Sequence, residues 1–297
     1  VRKFFLSRKA RVEVNEGAFN KGNTMLKTRV ITALALLAIL LPILISGSNL
    51  AFTVVACLFL GAAIWESQRL FHRFAPIVMA LAWGLMFLFV SLRLDPAAQI
   101  ILFYLCLALW ICVLVPALYF YLPGKTRLSD AMMSRIVGIV IFGSFVAMSA
   151  LFARSPLFLL SAMALVWVAD IGAYFFGKAF GKNKLAPVIS PGKSWEGALG
   201  GWLTVIAVGV LCVNVNGLHD TVPTQIYTKL GWFGLLAVLT LICAASVVGD
   251  LFESLLKRRA QIKDSSNLLP GHGGVFDRID ALIPVLPLIA VLNFWLR

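Results

Sequence analysis

The stretch LFLLSAMALVWVADIGAYFF, residues 157–176, decides the fold class. Twenty residues with a single charge, Asp170, match the roughly 30 Å hydrocarbon core of a bilayer when wound as a helix. Nothing in it alternates as a half-buried strand would. Similar runs recur at about 30–46, 49–65, 76–92, 98–121, 135–153, 197–213, 232–250 and 279–296. The reading is an all-α, polytopic integral membrane protein with nine transmembrane helices. Composition agrees: 61% of the 297 residues are hydrophobic and 13% charged, against about 25% charged in soluble domains.

Charge sets the orientation. With the N-terminus inside, the inner segments hold 22 of the 26 Lys and Arg residues, and the outer ends hold only Arg93, Arg154, Lys229 and Arg297. Basic residues concentrate on the cytoplasmic side, so the N-terminus is expected there and the C-terminus outside. The same short basic loops, lying beside anionic headgroups, account for the net charge of +13 without nucleic-acid binding. The five cysteines fall within apolar spans, lack paired ligand spacing and read as packing residues.

Three regions follow. Residues 1–24 are polar and basic and precede Met25, which looks like a natural start; they are either an extension from an alternative start codon or a short cytoplasmic tail. Residues 25–156 read as mainly structural transmembrane helices, whose acids, among them Glu66 and Asp130, look like solvated span ends. Residues 157–297 hold the expected catalytic region, with cytoplasmic loops at 177–194 and 251–278.

Asp170 is costly at its depth unless it faces a polar cavity, a cation or a partner. It shares a helical face with Tyr174 and Lys178. It is either an acid on a cavity wall, about 9 Å from the cytoplasmic end near Phe176, or a structural hydrogen bond between helices. The loop GKNKLAPVISPGKSWEG, residues 181–197, contains GKS, but Pro187 stands where a P-loop requires glycine. Lys193 with Ser190 and Ser194 beside a helix start suits phosphate oxygens, although Ser194 equally fits a plain N-cap. Glu196 either favours the helix dipole or faces the same cavity.

In SVVGDLFESLLKRRAQIKDSSNLLPGHGGVFDRID, residues 246–280, a continuing helix puts Ser246, Asp250, Glu253 or Ser254, and Lys257 on one stripe. Gly271, Gly273 and Gly274 bracket His272, and Asp277 and Asp280 follow three apart with Arg278 between them. Carboxylates entering a helix offer oxygen ligands suited to Mg²⁺, and Lys257, Arg258, Arg259, Lys263 and Arg278 supply cations for a polyphosphate. His272 is either a base or a donor to phosphate.

Residues 254–280, SLLKRRAQIKDSSNLLPGHGGVFDRID, resemble throughout the signature of phosphatidate cytidylyltransferases, the bacterial CDP-diacylglycerol synthases. ADIGAYFFGKAFGK and ISPGKSWEG are similar to that family's other loops. The resemblance implies Mg²⁺-dependent transfer of CMP from CTP to phosphatidate, in a multi-pass protein of the bacterial inner membrane with its site facing the cytoplasm. It also implies a homodimer and a second, monovalent cation. On this reading Asp250, with Asp277 or Asp280 and also Asp170, holds the metal. Lys193, Lys257, Arg258, Lys263 and Arg278 then neutralise the triphosphate. A transporter would spread acids across the whole membrane depth, and a prenyltransferase would carry two Asp-rich boxes, whereas only one Asp-x-x-Asp occurs, at 277–280. A CTP-dependent lipid kinase is separated only by the long signature.

Overall fold

The computed structural model describes residues 31–296, apart from 33, 36, 74, 94 and 121–126. The expected extension at 1–24, the start of the first span and Arg297 lie outside the described residues.

Helix α1 (Leu37–Ser46) leads into α2 (Asn49–Leu70), α3 (Pro76–Arg93), α4 (Pro96–Leu109), a π turn (Trp110–Leu114), α5 (Val115–Tyr119), α6 (Arg127–Arg154) and α7 (Pro156–Phe180). An antiparallel hairpin of β1 (Lys184–Ala186) and β2 (Ser190–Ser194) precedes α8 (Trp195–Asn214), α9 (Val222–Arg259), α10 (Phe276–Ile279) and α11 (Leu282–Leu296).

Seven helices among the described residues are long and apolar enough to cross a membrane, with α4 and α5 joined through the π turn as one span, Ala97–Tyr119. The protein is therefore an all-α, multi-pass membrane protein. The other two apolar runs of the sequence fall on the shorter helices α1 and α11. At 15 residues, α11 spans about 22 Å, less than the hydrocarbon core. Protein covers it instead: Val285, Leu286 and Ile289 are enclosed where α11 meets α4, α6 and α9.

Helix starts follow from local chemistry. Ser155 Oγ accepts the Phe158 N–H at 3.3 Å, with Pro156 opening α7, and Ser194 Oγ accepts the Gly197 N–H at 3.1 Å at the start of α8. Helix α9 breaks at Gly231, whose φ of 66° and ψ of −168° suit glycine, and then runs unbroken to Arg259. The apolar run beginning at 232 thus starts where the helix resumes.

Two close approaches place the functional residues. Helices α7 and α8 meet at backbone contact, since a Cβ on Gly201 would lie 2.6 Å from the Ala169 carbonyl oxygen. Small residues allow this where lipid supplies no hydrophobic drive between helices. Likewise Gly249 lets the Asp280 carbonyl and Pro284 rest on α9, one residue from Asp250.

Candidate active site

Between α7, α8, α9 and the segment after α9 lies a polar cavity of about 570 Å³. Asp170 from α7, Lys193 from β2, Asp250 from α9 and Asp280 from the turn before α11 all line it. Lys193 Nζ stands 2.5 Å from Asp250 Oδ2, and Ser254 Oγ donates to Asp250 Oδ1 at 3.4 Å. Asp250 lies within electrostatic reach of both Asp170 and Asp280. These four residues, separated by up to 110 positions, are among those the sequence suggested for one site, and the structure brings them together. Helix α7 continues past Phe176 to Phe180, so ten residues, about 15 Å of helix, follow Asp170.

The remaining candidates take other roles. Asp277 and Lys257 border the cavity but are committed to each other, with Lys257 Nζ donating to Asp277 Oδ1 at 2.9 Å and lying 2.5 Å from Glu253 Oε2. Asp277 also accepts the N–H groups of Ser265 at 3.0 Å and Gly274 at 2.8 Å. Burial alone would push its carboxyl up, but the side chains of Glu253 and Lys257 and the Gly274 N–H together hold it well below the usual carboxylate range. Asp277 thus organises the loop while its carboxylate, like that of Asp280, borders the cavity.

Arg258 turns to the hairpin, donating from Nε to the Ile189 carbonyl at 3.2 Å, rather than to the cavity. Ser194, the N-cap of α8 described above, also lines the cavity. Glu196 accepts the N–H groups of Lys182 at 3.2 Å and Asn183 at 3.1 Å, so it clamps the α7–α8 connection instead of facing the cavity. Ser190, Lys263 and His272 do not line the cavity: Ser190 pairs with Ala186, Lys263 is exposed, and His272 lies in a tight turn. In that turn the His272 N–H bonds the Leu269 carbonyl at 2.8 Å, and the positive φ of Gly271 and Gly273 makes the reversal possible. Arg278 closes it with Nε and Nη2 on the His272 carbonyl at 2.9 and 2.6 Å, yet still borders the cavity.

The residue that sequence reasoning missed is Glu66. It is not a solvated span end: it has 0% exposure, and α2 continues past it to Leu70. Its carboxylate accepts from Ser265 Oγ at 3.0 Å, Ser266 Oγ at 2.5 Å, Val275 N–H at 3.1 Å and Phe276 N–H at 2.7 Å. Ser265 Oγ also lies 3.1 Å from Asp277 Oδ2, so its one hydrogen serves one carboxylate at a time. Asp130 likewise pairs with Arg259, joining α6 to the end of α9. The polar triplet Glu66-Ser67-Gln68 inside a helix that does not stop was the available signal.

The donor set suits a hard cation. Asp170, Asp250 and Asp280 offer carboxylate oxygens, and the Lys193 ammonium already neutralises one of them. Among the described residues no three His, Cys, Asp or Glu side chains converge as a preassembled site. One or two carboxylates completed by substrate phosphates is the usual arrangement for Mg²⁺, and these residues fit it.

Residues 27–296 match the profile described as the Cytidylyltransferase family. The chain is 40% identical over 283 residues to a phosphatidate cytidylyltransferase of Pseudomonas aeruginosa, covering 90% of this chain and 97% of that one. It is 31% identical over 271 residues to a phosphatidate cytidylyltransferase of Staphylococcus aureus, covering 90% and 98%. A Haemophilus influenzae protein of the same name is 47% identical over 137 residues, 46% of each chain.

Proposed function

The chain belongs to the cytidylyltransferase family, and from that premise we propose that it transfers CMP from CTP to phosphatidate, releasing CDP-diacylglycerol and pyrophosphate. The observation that carries the reading is the cavity where Asp170, Lys193, Asp250 and Asp280 meet at the edge of an apolar helix bundle.

A phosphate oxygen of phosphatidate attacks the α-phosphorus of CTP, and the bond from that phosphorus to the bridging oxygen of pyrophosphate breaks. Both reactants are anions, so positioned cations must offset their repulsion. Lys193, steadied by Asp250, reaches the cavity on an ammonium and meets the triphosphate or the departing pyrophosphate. Arg278 adds a guanidinium at the cavity border. No general base is required, because a phosphomonoester with a second pKa of about 6 is already largely ionised near neutrality.

Mg²⁺, held by Asp250 with Asp277 or Asp280 and with Asp170 in support, would polarise the phosphoryl oxygens and screen their charge. A second, monovalent cation beside it, a homodimeric assembly, a bacterial inner-membrane location and a site facing the cytoplasm belong to the same proposal. The basic loops support that orientation. The test is incubation of detergent-solubilised protein with CTP labelled at the α-phosphate, phosphatidate and Mg²⁺, with an EDTA control. Metal-dependent label in the lipid phase is expected. Label arriving instead from the γ-phosphate would make the protein a lipid kinase, and none at all from folded protein would refute transfer.

A further inference from the structure

A second cavity, of about 320 Å³, lies between α1, α2, α6 and α7. Leu44, Phe59, Leu160 and Met163 form apolar walls, and the back of the signature segment, at Val275 and Ile279, closes it. That segment is two-sided: Val275 and Ile279 border this groove, whereas Asp277 and Asp280 border the catalytic cavity. Among the described residues, Arg278 alone lines both.

A guanidinium that borders both a polar cavity and an apolar groove suits a molecule with phosphate at one end and hydrocarbon at the other. The His272 carbonyl fixes the Arg278 fork through two nitrogens and leaves its other N–H donors for an anion. We propose that the groove takes one acyl chain of the phosphatidate while the phosphate occupies the catalytic cavity, an inference that rests on the lipid substrate assigned above. Leu160 and Trp167, 38% and 44% exposed, form the flank through which the chain enters from the bilayer. The second chain stays in lipid.

A chain leaving the bilayer gains little from another apolar surface, so the groove adds selectivity more than affinity. Lipid re-packs around any chain, but a close-packed protein wall does not. Length and shape of the acyl chain are therefore read here.

The test is the ratio of kcat/KM for dioleoyl over dihexanoyl phosphatidate, measured in mixed micelles. Leu160→Trp, which narrows the groove, is expected to lower that ratio about tenfold. Leu203→Trp, on an exposed face of α8 outside the groove, should leave it unchanged. An unchanged ratio in Leu160→Trp, or an equal drop in both variants, would overturn the assignment. An independent arm uses phosphatidate bearing a diazirine at the end of one acyl chain. Cross-links on residues 160–167 that excess dioleoyl phosphatidate displaces are expected, and cross-links confined to α3 or α8 would refute the groove. Should the wild-type protein label no lipid at all, the cytidylyl-transfer reading fails, while the cross-link pattern still decides where phosphatidate lies.

Discussion

Truncating Glu66 to Ala should disable the site from a helix that contributes nothing to the cavity lining. Four donors of the 265–276 segment converge on that carboxylate, and two are backbone N–H groups, of Val275 and Phe276, residues only 4% and 2% exposed. The serine hydroxyls can rotate elsewhere, but the amides cannot. Leaving a buried donor unpaired costs about 1–3 kcal/mol, so the pair alone costs about 2–6 kcal/mol. That is enough to open the segment, and Asp280 would then leave Asp250. Turnover in Glu66→Ala should fall at least a hundredfold with CTP and Mg²⁺ saturating, with a lowered thermal inactivation temperature in detergent. Glu66→Gln keeps one acceptor oxygen of the two and should lie between. Wild-type turnover in Glu66→Ala would refute the reasoning, because it would mean that the loop holds its shape without the carboxylate.

Asp250→Asn removes the charge that pairs with Lys193 and is expected to abolish nucleotidyl transfer while the protein still elutes as a folded species; retained turnover at saturating Mg²⁺ would take Asp250 out of the metal site. Gly249→Val sets a branched side chain against the Asp280 carbonyl and Pro284, and both activity and thermal stability should drop, which size-exclusion and inactivation curves would show. Asp277 has a folded-state pKa below its unfolded value, so its contribution to stability is complete above about pH 4 and is lost only as pH falls toward the folded value. The stability gap between wild type and Asp277→Asn should therefore narrow as pH falls below about 4 in thermal inactivation assays, and a gap that persists undiminished toward about pH 2 would contradict the assignment.

Much of this architecture was legible in the sequence because the bilayer imposes a coarse and severe rule. Apolar runs longer than a dozen residues became helices, and an acid as deep as Asp170 had to face something polar. The stripe Ser246, Asp250 and Lys257 emerged because a helical period is local, and α9 does continue past the apolar run. Partner choice was not legible. Basic residues in a row look alike from sequence, yet Lys257 is taken by Asp277, Arg258 by the hairpin and Arg259 by Asp130, while Lys178, Lys193 and Arg278 also line the cavity. His272 stood in the middle of the most distinctive stretch and proved to be part of its turn. Glu66 was passed over because all its partners lie about 200 residues away, a distance that no local pattern reports.

That separation also has a meaning in time. The first partner of Glu66, Ser265, is made 199 residues after it. At 5–20 residues per second, synthesis leaves the carboxylate waiting for about 10–40 s while the intervening helices enter the membrane. During that interval α2 carries an acid whose permanent donors do not yet exist, and water at the membrane face must solvate it. Docking of the 265–276 segment then expels that water and ends the wait. Assembly of the reactive face is thus among the last events of biogenesis, so a chain cut short before residue 265 keeps an exposed, unpaired acid on α2 that marks it as unfinished.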